Sequence, residues 1–225
     1  MSTGNETFRE EVKKEFQLER MILFSDAVFA IVITLMAMEI RLPEGTDLQD
    51  SAGLRHAVKI LAPVIIAYMV SFFFIGAIWY QHLRMFSVLK SYDRGLVVRN
   101  LVLLFLIGLF PFSATVITHS KGSVYALTIY LGIIYACVLA QYVLHHYILV
   151  RRPALLIPGD ISVQLQALRR RKVIVITIGI CFALIFITRG LITDPDLKVM
   201  ATWWMLLVPI AVRAFAGKNA VAEKA

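Results

Sequence analysis

Apolar residues in this chain are gathered into blocks rather than scattered. Six runs stand out, at about 21–40, 57–80, 95–117, 123–149, 173–192 and 199–216. Each holds about 20 residues, which at 1.5 Å rise per residue spans the roughly 30 Å hydrocarbon core of a bilayer. None shows the period-2 alternation of a barrel strand, and helices satisfy their own backbone polar groups in lipid. The pattern predicts an all-α, polytopic membrane protein with six transmembrane helices.

The segments between the runs carry their own signals. Thr7 followed by Glu10 fits a capping box, and Phe8, Val12 and Phe16 recur every four residues. Residues 1–20 should therefore form a cytoplasmic helix leading into the first span, before a transmembrane domain over 21–216 and a tail over 217–225. No apolar stretch precedes the first span, so no cleavable leader is expected. Pro63 should break or kink the second span, which ends in Trp79-Tyr80-Gln81-His82, and Phe110-Pro111-Phe112-Ser113 should distort the end of the third. In the loop over 150–172, Asp160 can cap a short helix with Ile161, Leu165 and Leu168 on one face. With Arg169 to Lys172 following, that helix is expected to lie on the membrane surface.

Composition agrees with this outline. Hydrophobic residues make up 59% and charged residues 17% of 225, against roughly 45–50% and 25% in soluble domains. Of the 23 Lys and Arg, seventeen fall on the side of the termini and six on the other, which places both termini in the cytoplasm. The net charge of +8 then points to anionic lipid headgroups as partners, not nucleic acid. Cys137 and Cys181 lie inside predicted spans and read as small core residues. His145-His146 reads as an interfacial anchor rather than a metal or haem site. No hydrolase, metalloprotease, P-loop, Rossmann or CxxC pattern occurs, nor the potassium-channel filter sequence, so enzyme chemistry has no support.

One residue resists the apolar scheme. Asp26 sits inside the first run, where a central carboxylate costs roughly 2.5–3.5 kcal/mol and marks a functional site by default. At about 100° per residue, Ile31, Leu35 and Met38 share one stripe, flanked by Ala27 and Thr34, and Asp26 lies about 140° from Ile31. Acid and stripe therefore cannot face the same partner. The stripe suits either a narrow pore on a symmetry axis or ordinary helix-packing or lipid-facing surface. Asp26 suits either a buried hydrogen-bond network, with His82, Arg20, Ser25 and Asn100 at the same end, or an ion or proton site.

The run Arg20-x-x-x-Phe24-Ser25-Asp26 resembles the RxxxFSD signature of the transmembrane protein 175 family of potassium channels. Ala30-Ile31-Val32-Ile33-Thr34-Leu35, Trp79-x-x-His82, Asn100 and Leu109-Phe110-Pro111-Phe112-Ser113 extend the likeness through the chain. The resemblance implies a four-fold homotetramer in a prokaryotic plasma membrane, with the first helix of each subunit lining the pore. It implies Ile31, Leu35 and Met38 as a hydrophobic constriction, Thr34 as a selectivity layer, and Arg20, Phe24, Ser25, Asp26, Trp79, His82 and Asn100 as the network holding the pore helix. Met38 stands where leucine is common in the family. No cofactor is implied, with K+ as the permeant ion. A proton-coupled secondary transporter titrating Asp26 and His82 is the alternative, although no inverted repeat or pair of broken helices supports it.

Overall fold

The computed structural model describes residues 2–38, 40–42, 51–120 and 123–191. The expected sixth run at 199–216 lies outside them. Among the described residues every long element is helical: α1 (Ser2–Ala37), α2 (Ser51–Phe86), α3 (Arg94–Gly108), α4 (Phe110–His119), α5 (Val124–His146) and α6 (Ser162–Leu191). Four stretches are long and apolar enough to cross a membrane: Val12–Ala37, Ala52–Phe86, Arg94–His119 and Tyr125–Arg151. They match the first four runs, and the chain is a membrane protein.

Two compact units emerge. The first holds Met1–Ile133 with Ala154–Ile157, the second Ile134–Pro153 with Pro158 onward. In the first, α1 packs on α2, α3 and α4, and α4 also packs on α2 and α3. Phe29, Val32 and Met36 bury one face of α1 at three- and four-residue steps, and Leu18, eleven residues before Phe29, continues that face about three turns earlier. At 36 residues, α1 is about 54 Å long, well beyond the hydrocarbon core. Its N-terminal turns therefore project from the membrane. There the Tyr92 hydroxyl, in the α2–α3 connection, donates to Gln17 Oε1.

The start of α3 is fixed by Asp93, whose extended backbone and side chain cap the helix by accepting the Leu96 amide at 2.7 Å. The third run does break where its proline predicts. Pro111 has no amide hydrogen, and the Leu109 amide turns instead to the Leu106 carbonyl at 3.2 Å, separating α3 from α4. Beyond α5, residues 154–157 return to the α2–α3 connection and form a small antiparallel bridge. Lys90 N–H donates to Leu155 C=O and Ile157 N–H to Val88 C=O, both at 2.9 Å.

In the second unit α5 ends in a π-helical turn over Tyr147–Arg151, closed by the Arg152 amide on the Tyr147 carbonyl at 2.9 Å. Within α6, Leu168, Arg171, Val175, Ile178, Cys181 and Ile185 are buried. Tyr135 of α5 stacks on Phe182 with ring centroids 6.3 Å apart. Gly179 has a clear reason to be glycine, since a Cβ there would sit 2.9 Å from the Tyr135 hydroxyl.

Four local expectations need correction. Helix α1 is already under way at Ser2, so Thr7 is interior to it and does not cap it. Pro63 does not break the second span, since helix α2 is continuous from Ser51 to Phe86. The short surface helix after Asp160 does not stand alone, because α6 continues from Ser162 through the basic run into the apolar one with no intervening breaker. His145 is buried at 1% exposure rather than anchored at an interface, alongside buried Gln141 and Arg171.

Candidate functional site

The polar residues of the first three spans converge. Ser25 is fully buried on α1, His82 on α2, and Asn100 on α3 is 1% exposed. They form one hydrogen-bonded chain. The Met21 carbonyl can only accept, so the Ser25 hydroxyl donates to it, at 2.8 Å. That leaves Ser25 Oγ to accept from Asn100 Nδ2 at 2.8 Å, which turns Asn100 Oδ1 toward His82 Nε2 at 2.9 Å. His82 therefore donates from Nε2. Its ring stacks on Phe86 with centroids 4.0 Å apart and lies 5.6 Å from Phe29. Each bond crosses between helices or closes a turn, so the chain ties α1, α2 and α3 together at one level.

Asp26 joins the same helices by a separate bond. Trp79 Nε1 donates to Asp26 Oδ1 at 2.9 Å, three residues before His82 on α2. The carboxylate is half-buried. Arg20 and Phe24 stand apart, Phe24 being 53% exposed and Arg20 placing its guanidinium 6.0 Å from the Phe16 ring centroid. Neither is brought to Ser25, Asp26 or Asn100.

The opposite face of α1 is uncovered. Ile31, Leu35 and Met38 are 56%, 44% and 60% exposed, and Ala27 and Thr34 beside them are exposed as well. Thr34 Oγ1 folds back on its own helix, donating toward the Ala30 and Ile31 carbonyls at 3.0 and 2.9 Å. So α1 has two chemically distinct sides, one locked by polar bonds and aromatic rings, the other a bare apolar stripe with one hydroxyl.

Sequence reasoning missed a further buried pair. Ser71 on α2 and Tyr130 on α5 share a 2.7 Å hydrogen bond, and Tyr130 meets Phe110 edge-on at 6.2 Å between centroids. Phe110 in turn lies 5.4 Å from Phe74. The available signal was an isolated serine in an otherwise apolar run. Among the described residues no group of three or more His, Cys, Asp or Glu gathers as a metal site.

Residues 20–111 match the family profile described as the endosomal/lysosomal potassium channel TMEM175. Those residues belong to the TMEM175 family. The segment holds every residue of the network and the stripe. A potassium channel of Streptomyces collinus is 34% identical over 117 residues, covering 48% of this chain and 55% of that one. A potassium channel of Chamaesiphon minutus is 32% identical over 130 residues, covering 56% and 63%. The chain thus matches a little over half the length of these bacterial relatives. The human endosomal/lysosomal proton channel TMEM175 is 30% identical over 111 residues, 47% of this chain and 22% of that one. Among solved structures, the crystal structure of a lysosomal potassium-selective TMEM175 homolog from Chamaesiphon minutus superposes with a TM-score of 0.65 at 26% identity. That likeness covers 88% of this chain and 97% of the other. The TMEM175 relatives are named as channels, not enzymes.

Proposed function

We propose that this chain is one subunit of a homotetrameric, potassium-preferring cation channel of a prokaryotic plasma membrane. Each subunit crosses six times with both termini in the cytoplasm, residues 1–20 leading into a channel domain over 21–216 and a tail over 217–225. The observation that carries the reading is the two-sidedness of α1. Its polar side is committed to α2 and α3, and its apolar stripe has no occupant among the described residues.

Four copies around an axis would turn four such stripes inward. Rings of Ile31, Leu35 and Met38 then exclude water and ions when narrow and pass them when slightly wider. Thr34 adds the hydroxyl layer on which potassium preference depends, while Ser25, Asp26, Trp79, His82 and Asn100 hold the helix at a fixed rotation. Arg20 and Phe24, exposed in the single chain, face neighbouring copies or headgroups. Potassium is the permeating substrate, and few ligands replace its hydration shell in such a pore, so selectivity is modest.

Potassium flux in proteoliposomes, compared with sodium and run with and without a proton gradient, tests the reading. A channel gives passive potassium flux independent of the gradient. Leu35→Ala widens one of the three rings, so it should raise flux or lower the potassium-to-sodium ratio. Unchanged currents after substitution of both Ile31 and Leu35 would remove these residues from the gate.

A further inference from the structure

The second unit is electrostatically lopsided. Among its described residues it carries Arg151, Arg152, Arg169, Arg170, Arg171, Lys172 and, near the far end of α6, Arg189, and its single carboxylate is Asp160. That carboxylate is engaged at the start of α6, accepting from the Ser162 amide and hydroxyl at 2.8 and 3.0 Å. The N-terminal turns of α1 are balanced by comparison, with Arg9, Lys13, Lys14 and Arg20 interleaved by Glu6, Glu10, Glu11, Glu15 and Glu19.

The basic run is not a uniform surface. Arg171 points inward with Leu168 and Val175, whereas Arg169 and Lys172 are exposed and have no hydrogen-bond or ion-pair partner among the described residues. At about 100° per residue, Leu165, Arg169, Lys172, Ile176, Ile180 and Ile187 fall within an arc of about 80°. All six are exposed. One continuous face of α6 therefore begins with two unpaired cations and continues as bare aliphatic side chains. Ten residues beyond Lys172 cover about 15 Å, half the hydrocarbon core and so one leaflet.

We propose that this face seats an anionic phospholipid of the cytoplasmic leaflet, its phosphate between Arg169 and Lys172 and an acyl chain along Ile176 and Ile180. Charge complementarity selects this occupant. A second copy of the chain would bring another cation-rich surface, and a zwitterionic lipid would leave the excess positive charge uncompensated. The proposal rests on α6 making the fifth crossing.

The test is native mass spectrometry of the full chain in detergent with phosphatidylglycerol or phosphatidylcholine added. At about fivefold per surface cation, two cations give phosphatidylglycerol a roughly 30-fold advantage in retention. Arg169→Gln with Lys172→Gln should abolish that advantage, and Lys13→Gln with Lys14→Gln should leave it. Equal retention of the two lipids by the unaltered chain overturns the proposal, as does an advantage that survives in the Arg169/Lys172 variant. The crossing is read separately, with Ile180→Cys in a chain whose Cys137 and Cys181 are replaced by alanine. Labelling of Ile180→Cys in vesicles by an impermeant maleimide refutes the crossing itself. A disulfide between copies at that position shows that a second chain covers the face, and refutes the lipid seat alone.

Discussion

Replacing Asn100 with leucine isolates the contribution of the buried chain to holding α1. The side chain is 1% exposed and bonded on both sides, to Ser25 Oγ and to His82 Nε2. Leucine is close in size, so the change is mainly chemical. Ser25 keeps its bond to the Met21 carbonyl and loses one donor, a loss of about 0.6 kcal/mol for an interhelical bond in a membrane protein. His82 loses the acceptor of a buried N–H, which costs about 1–3 kcal/mol. Together the loss is about 1.6–3.6 kcal/mol. Equilibrium unfolding of the detergent-solubilised chain by denaturant measures it. A cycle with Ser25→Ala then tests whether the two residues act through each other, with an expected coupling of about 0.6–1.7 kcal/mol. If Asn100→Leu unfolds at the same midpoint as the unaltered chain, or the coupling is zero, the bonds are incidental to the fold.

Other substitutions reach the second unit. Gly179→Ala should destabilise the packing of α5 on α6 by about 1–3 kcal/mol, because its Cβ meets the Tyr135 hydroxyl at 2.9 Å; Tyr135→Phe, which removes that oxygen, should recover part of the loss in the same unfolding assay. The Ser162 amide and hydroxyl hold the Asp160 carboxyl below its ordinary range. A depressed pKa stabilises the first turn of α6 above the carboxylate's unfolded value and loses that support as pH falls through the folded one. The protection of the Leu165 amide, which bonds the Ile161 carbonyl at 2.9 Å, measured relative to its intrinsic exchange rate at each pH, should therefore fall in acid and no longer depend on pH in Asp160→Ala.

Much of the first unit was legible in the sequence because its signals are local or strongly periodic. The apolar runs gave the first four spans, Pro111 gave the break between α3 and α4, and the angular offset of Asp26 from Ile31 matches the two-sided α1. The partners were harder. Which polar side chains meet depends on how α1, α2 and α3 rotate against one another, and Ser71 with Tyr130 had no spacing rule to reveal it. Arg171 and His145 were missed for a related reason. A run of cations reads as solvated surface, yet a helix turns each successive residue by about 100°, and one of four must then face its neighbour. Pro63 shows the converse, a proline that does not end the helix because the turns on either side of it remain helical.

The donor order in the buried chain also bears on protons. A relay passes a proton only if each member can accept one on one side, release one on the other and then reset. Asn100 is an amide, with nitrogen fixed toward Ser25 and oxygen toward His82, so neither end can take up and hand on a proton. On the other branch, the indole of Trp79 gives a hydrogen to Asp26 and accepts none. Neither Asn100 beside His82 nor Trp79 beside Asp26 can therefore pass a proton on. The bonds that fix α1 are in this sense insulating, since no proton passes along them from Ser25 to His82 or from Trp79 to Asp26.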